Sequence, residues 1–172
     1  MSLHVTLVAA AVLALDAMQS QPPSDFQFVW EYTHCYRLYR LDTRDRTLTR
    51  QALSREVDGG PTKEPPVRMS IDVRREERQA IFTEMLRIGF FDFPTEITYP
   101  PDAQVVTVTP PSRFRLEARR KGRWTRVSWI SAYAVSPRPA RRDQLEALGQ
   151  KIQGFIDSRP AVRQMPVPRA CE

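Results

Sequence analysis

Lysine, histidine and cysteine are all scarce in this chain. Its 172 residues include 3 Lys, 2 His and 2 Cys, against 23 Arg. So few His and Cys exclude a zinc-finger array and a dense disulfide scaffold. Basic residues number 26 and acidic residues 20, which gives a formal net charge of +6. An apolar fraction of 41% and a charged fraction of 27% are typical of a folded domain and exclude a disordered polyanion or a collagen-like chain.

A long apolar run is also missing. Leu3 to Leu15 form a run of 13 residues without a charged side chain, whereas a transmembrane helix needs about 20. A run of this length, ended by Asp16, is typical of the core of a secretory signal. We therefore expect a signal peptide at residues 1–20 and a periplasmic or secreted mature chain without a transmembrane segment. The alternative is a short buried helix of a cytosolic protein, because no Lys or Arg precedes the run.

The predicted compartment decides how the two cysteines are interpreted. In an oxidising environment, Cys35 and Cys171 predict a single disulfide. It would close a loop of 137 residues, and the loop-entropy model gives at most about 5 kcal/mol of stabilisation. The alternative is a buried thiol at Cys35 and an exposed one at Cys171.

The first half of the chain predicts two strands and a helix. Apolar and polar residues alternate from Phe26, and the pattern continues to Leu41, as in a half-buried strand. Residues 43–46 read as a turn and residues 47–51 as the returning strand, followed by a loop over residues 58–66. A helix is predicted from Ser70 or Asp72, either of which can cap it, to a stop at Gly89.

The second half predicts three strands and a helix. A β-branched strand covers residues 105–109. If Lys121-Gly122 is a two-residue turn, the flanking strands align with Arg120 opposite Arg123 and Glu117 opposite Arg126. This register places apolar side chains on one face and charged ones on the other. A last helix follows, and Pro160 is expected to end it.

The predicted order is ββαβββα, which indicates an α+β fold. We expect an antiparallel sheet of about five strands with two helices packed on one face. Residues 21–159 would form a single domain, and residues 160–172 a Pro-rich C-terminal tail docked on it.

The inventory of reactive side chains offers little catalytic chemistry. His34 has no partners at metal-ligand spacing and is interpreted as part of an aromatic sheet face. No phosphate-binding loop is present, since Gly59-Gly60 leads into prolines, and no cofactor or metal is predicted. A carboxylate pair remains open as a hydrolase site, drawn from acids that nothing in the sequence singles out: Asp42, Asp92, Asp102 and Glu117.

The most unusual segment is the hairpin from Arg113 to Arg126, with seven basic residues in 14 positions. Arginine forks suit carboxylates and phosphates, and Arg119 opposite Trp124 predicts a cation–π contact. The charged face of this hairpin is the candidate anion-binding or partner-binding site, formed by Arg113, Arg115, Arg119, Trp124 and Arg126. The alternative is a solvated face that keeps the sheet soluble.

These observations predict a small exported, non-enzymatic binding protein. Its partner would be a protein or an anionic component of the cell envelope. Two alternatives stay open: a hydrolase that uses a carboxylate pair, and a nucleic-acid-binding module if the chain is not exported.

Overall fold

A computed structural model describes residues 21–53, 64–99, 101–106, 112–130, 134–136 and 140–167. The predicted signal peptide and Cys171 lie outside these ranges. The helices are α1 (Arg75–Arg87), α2 (Ala140–Asp157) and α3 (Pro160–Gln164), with a 3₁₀ turn at Phe90–Asp92. The strands are β1 (Gln27–His34), β2 (Arg37–Asp42), β3 (Thr47–Ala52), β4 (Val67–Ser70), β5 (Glu96–Ile97), β6 (Gln104–Val106), β7 (Arg113–Arg120), β8 (Arg123–Ile130) and β9 (Ala134–Ser136).

Seven strands form the main sheet in the order β4-β3-β2-β1-β7-β8-β5, and β6 pairs with β9 in a second sheet. The predicted α+β class is confirmed. The prediction of about five antiparallel strands is wrong, because the sheet has seven strands and β5 runs parallel to β8. The strand predicted at residues 105–109 is seen as β6, and its last three residues lie outside the described residues.

One missed turn accounts for part of this difference. Cys35 and Tyr36 both have positive φ, 52° and 57°, as the central residues of a type I′ hairpin turn do. This turn divides the predicted strand from Phe26 to Leu41 into β1 and β2. Such turns are usually marked by Asn-Gly or Asp-Gly, so the Cys-Tyr pair carries no turn signal.

The hairpin of β7 and β8 has the predicted register. Lys121 and Gly122 form its turn with positive φ, and Glu117 pairs with Arg126. Phe114, Leu116 and Ala118 of β7 face the same side as their partners Trp129, Val127 and Thr125. The separation of apolar and charged faces is therefore confirmed for these two strands.

The apolar face of the sheet continues across strands that are distant in sequence. One transverse row of paired residues crosses six strands, and its members are Met69, Leu48, Leu41, Trp30, Leu116 and Val127. The helices pack on this face, since α1 and α2 contribute Ile81, Met85, Leu145 and Leu148 to the same buried cluster. The opposite face, called the outer face below, is free of helices among the described residues.

Helix α1 begins later than predicted. Ser70 pairs with Thr47 as the last residue of β4, so the helix starts only after Arg74. The Glu77 side chain accepts a hydrogen bond of 2.9 Å from the Arg74 N–H, which satisfies one of the free donors at the helix start. The predicted stop at Gly89 is confirmed, because Gly89 has a left-handed φ of 69°.

The first residues of the predicted C-terminal tail form a helix. Helix α2 ends at Asp157, and Pro160 begins α3, a position that suits proline because its missing N–H has no helical partner there. Val162 of α3 is fully buried. Arg50 Nη1 donates a hydrogen bond of 2.6 Å to the Met165 carbonyl, which ties Met165 to β3. None of the described helices is long and apolar enough to cross a membrane.

Candidate binding site on the outer sheet face

The five predicted site residues lie on two adjacent strands. Arg113, Arg115 and Arg119 belong to β7, while Trp124 and Arg126 belong to β8. Because side chains alternate along a strand, all five lie on the outer face, opposite the buried Leu116 and Val127 row. The structure therefore brings the predicted residues together on one surface.

Acidic residues from the N-terminal half interrupt this basic surface. Strand β1 lies between β2 and β7, and its Glu31 pairs in register with Arg40 on one side and Arg115 on the other. Arg40 Nη1 lies 2.8 Å from Glu31 Oε2 and Arg40 Nη2 lies 3.0 Å from Asp42 Oδ2. On the other side, Arg115 Nη1 lies 3.9 Å from Glu31 Oε1.

Glu117 joins the two strands of the basic hairpin. Its Oε1 lies 2.8 Å from both Arg115 Nη2 and Arg126 Nε. The residue is only 6% exposed, so these two guanidinium groups supply contacts that water cannot replace. Alternating charges thus form one continuous ion-pair chain across four strands: Arg44, Asp42, Arg40, Glu31, Arg115, Glu117 and Arg126.

Of the three carboxylates in the ion-pair chain, Asp42 accepts the most hydrogen bonds, which come from Arg40 and Arg44. Burial alone would raise its pKa, but hydrogen bonds from Arg44 and Arg40 outweigh burial and lower the pKa from 3.8 to about 2. Arg44 binds it through both Nε and Nη2 as well as through its backbone N–H. Asp42 is therefore a permanently ionised anchor near neutral pH.

The predicted cation–π contact has a different cation. Arg119 is opposite Trp124 in the register, as expected. However, the guanidinium that lies over the Trp124 ring is that of Arg44, at 5.6 Å from the ring centre. Arg119 Nε instead lies 3.8 Å from Asp25 Oδ2, and that carboxylate accepts a hydrogen bond of 2.7 Å from the Gly122 N–H.

Arg113 lies apart from the ion-pair chain. Among the described residues, no carboxylate lies within 4.0 Å of its guanidinium. It lines a shallow pocket of 220 Å³ together with Glu31, Glu96, Arg115 and Ser128.

His34 lies on the opposite, apolar side. Its ring stacks on Tyr32 with centres 5.9 Å apart and planes at 7°, and its Nδ1 lies 2.8 Å from Ser112 Oγ. The interpretation of His34 as part of an aromatic sheet face is confirmed. Within the described ranges, no group of three or more His, Cys, Asp or Glu side chains is arranged to hold a metal ion.

The sequence prediction did not assign four residues of the ion-pair chain to this surface: Glu31, Arg40, Asp42 and Arg44. Asp42 was considered only as a candidate hydrolase acid. The sequence did indicate that Glu31, Arg40 and Asp42 face away from the core, because they occupy polar positions in strands whose apolar and polar residues alternate. The signal becomes useful only when β1 is known to lie beside β7. Comparison of the chain with models of known protein families and with curated proteins finds no match.

Proposed function

We propose that this chain is a non-enzymatic, exported binding protein whose outer face recognises the acidic surface of a protein partner. The observation that carries the proposal is the ion-pair chain, in which three carboxylates are enclosed by four guanidinium groups. Both ends are arginines, Arg44 and Arg126, and Arg126 is 61% exposed at its side chain. Arg113, Arg119 and Trp124 lie beside this ion-pair chain on the same face.

The alternation of charges favours a protein over a uniform polyanion. A polyanion laid across this face would meet Glu31, Asp42 and Glu117 as well as the arginines, and like charges in close contact are unfavourable. A protein surface can match both signs. Arg and Trp are also the residue types enriched at the energetic centres of protein interfaces. The enclosed guanidinium groups are held in place before binding, so little side-chain entropy is lost on association.

The hydrolase alternative has less support from this face. Asp42 and Glu117 flank Val29 on either side of β1, which separates their backbones by roughly two strand spacings, about 9–10 Å. A general acid needs a raised pKa. The pKa of Asp42 is lowered instead, and Glu117 Oε1 is already occupied by two guanidinium groups at 2.8 Å.

The exported location is part of the proposal and depends on the leader at residues 1–20. In a periplasmic or secreted setting the partner would be an envelope or extracellular protein, and Cys35 and Cys171 would form a disulfide. If the chain is retained in the cytosol, nucleic acid becomes a competing ligand for the same arginines.

The test needs a variant that removes charge without uncovering a buried acid. Replacing Arg115 would remove a partner from both Glu117 and Glu31, whereas replacing Arg126 removes one from Glu117 alone, so Arg115 is kept. The test variant is Arg119→Ala with Arg126→Ala, because Glu117 then retains Arg115. The matched control is Arg75→Ala with Arg163→Ala, which removes the same charge from exposed helical positions.

Each protein is immobilised and used to isolate partners from an envelope extract of its source, and the captured protein is then titrated in purified form. We expect binding by the wild type and the control, a loss of about tenfold or more in the test variant, and weakening with salt. Equal binding by the two variants would remove the outer face from the function. Heparin and anionic vesicles are titrated in parallel, and binding of these probes alone, lost in the test variant, would assign an anionic envelope component instead.

A further inference from the structure

Among the described residues, no strand other than β7 pairs with the Trp124–Arg126 part of β8. Strand β8 pairs with β7 along its whole length, whereas β5 covers only Ser128 and Trp129 on the other side. The Ser128 N–H donates to the Thr95 carbonyl at 2.9 Å, and the Ile130 carbonyl accepts a hydrogen bond of 2.6 Å from Tyr99. The even-numbered residues of β8 therefore direct their backbone groups away from β7.

The same alternation fixes the backbone of the next two even-numbered residues, Trp124 and Arg126. Their N–H and C=O groups also point away from β7, because backbone direction alternates along a strand. Within the described residues, no backbone hydrogen bond reaches the N–H of either one. Four backbone groups thus form a short open ladder beside the outer face.

We propose that this edge accepts an extended acidic segment of the partner as an additional strand, a mode known as β-augmentation. The inference rests on the proposed binding function and specifies how the partner docks. Backbone hydrogen bonds would supply the pairing, and the side chains of the added strand would alternate between the two faces. Those on the outer face would lie beside Trp124 and the exposed Arg126.

Charge selects the occupant. Arg123, Arg126 and Lys121 are all exposed at this end of the hairpin, so an acidic strand is attracted to it. A second copy of this chain is disfavoured, because edge-to-edge pairing of two β8 strands would bring these cations against each other. On the inner face, the Phe91 carbonyl lies 3.5 Å from Thr125 Oγ1, so an apolar side chain of the added strand would meet the Phe91 region. An alternation of acidic and apolar residues fits both faces.

The experiment measures amide hydrogen exchange by NMR on the full chain. The probe is an end-capped peptide of four Glu-Val repeats, and its controls contain four Lys-Val or four Glu-Pro repeats. The Lys-Val peptide reverses the charge, and the Glu-Pro peptide keeps the charge but cannot form a ladder. We expect the Glu-Val peptide to bind with a dissociation constant below about 0.1 mM. It should slow exchange at Trp124 and Arg126 by about tenfold or more.

Two protein variants separate the backbone from the side chain. Arg126→Ala keeps the N–H and should weaken binding while retaining protection at Trp124. Arg126→Pro also removes the outward N–H at this position, so the peptide should no longer protect Trp124. The fold should survive, because proline is tolerated on an edge strand. Thr125 and Val127, whose N–H groups face β7, should stay protected in both variants and show that β8 is intact.

Three results would overturn the proposal. The first is that the amides of Trp124 and Arg126 are already protected in the free protein. The second is that the Glu-Pro peptide binds as tightly as the Glu-Val peptide. The third is that the Glu-Val peptide at about 1 mM protects neither amide. If the partner from the envelope extract binds through the outer face without protecting these amides, the binding function stands and the added strand is rejected.

Discussion

The guanidinium of Arg44 lies over the indole ring of Trp124, 5.6 Å from its centre. The two residues come from opposite sides of the outer face, since β1 and β7 separate β2 from β8. Val29 lies on this face between them and is only 1% exposed. The pair therefore ties the N-terminal hairpin to the basic hairpin over the centre of the sheet.

This contact predicts a measurable coupling between Arg44 and Trp124. A double-mutant cycle with Arg44→Ala and Trp124→Ala, followed by urea unfolding, should give a coupling free energy of about 0.5–1 kcal/mol. The same cycle with Arg119→Ala and Trp124→Ala serves as the control and should give a value close to zero. A larger coupling for Arg119 than for Arg44 would contradict the observed geometry.

Asp42 predicts a pH dependence of stability. Its pKa is about 2 in the folded protein against an ordinary value of 3.8, so folding stabilises the ionised form. The stabilisation is about 2 kcal/mol when the pH is above the unfolded value. It is lost as the pH falls from about 4 to about 2. Asp42→Asn should lack this contribution, so its free energy of unfolding should differ from wild type at pH 6 and converge with it near pH 2. A constant difference would contradict this assignment.

Arg159 and Glu77 predict a large loss of stability when one of them is removed. Arg159 Nη2 lies 2.6 Å from Glu77 Oε2 and 2.8 Å from the Asp72 carbonyl, and both side chains are largely buried. Arg159→Ala leaves the Glu77 carboxylate without this partner, so it should lower the free energy of unfolding by about 3 kcal/mol. Arg163→Ala, at an exposed position nearby, is the control and should change it by less than about 0.5 kcal/mol. Chemical denaturation gives the free energy of unfolding of both variants. A small loss in Arg159→Ala, similar to that in Arg163→Ala, would contradict the prediction.

Substitution of Gly149 by alanine should lower the stability of the protein, whereas the same substitution at Gly154 of the same helix should not. A Cβ atom at Gly149 would lie 2.6 Å from Trp30 Cη2, and the Trp30 ring is confined in the core. Gly149→Ala should destabilise by about 1–3 kcal/mol through overpacking. Gly154→Ala has open space around it and should stabilise by about 0.5–1 kcal/mol. Melting temperatures that move in the same direction for both variants would count against this packing argument.

The predicted disulfide between Cys35 and Cys171 can be tested by mass. After alkylation under denaturing, non-reducing conditions, the native protein should carry no alkyl group, and after reduction it should carry two. Cys35→Ala with Cys171→Ala should have a lower free energy of unfolding than wild type under oxidising conditions and the same as reduced wild type. Two alkylated thiols in the unreduced native protein would disprove the bridge.

The features that could be predicted from sequence are local ones. Lys121-Gly122 fixed the turn of the basic hairpin, so the register of every β7–β8 pair followed by counting. The Cys35-Tyr36 turn carried no such signal. The two-residue β5 owes its structure to pairing with β8, and β4 to pairing with β3, which are contacts that no local pattern encodes.

The candidate site divides in the same way. Arg115 and Arg126 could be placed on one face because both lie within the hairpin. Their counter-charges could not be assigned in full, because Glu31 reaches Arg115 only through the pairing of β1 with β7. Arg119 was given the wrong role for the same reason: Arg44 approaches Trp124 from a part of the chain 80 residues away.

The position of β1 has a consequence for how the chain folds. Its pairing with β2 is local, but its other neighbour, β7, is about 80 residues further along, as with Thr33 and Arg113. Contacts of such high sequence separation slow folding, because a long loop must close before they form. During synthesis from the N-terminus, the central strand of the sheet therefore lacks one of its neighbours until most of the protein has left the ribosome, and the polypeptide stays unfolded longer than its size alone would require.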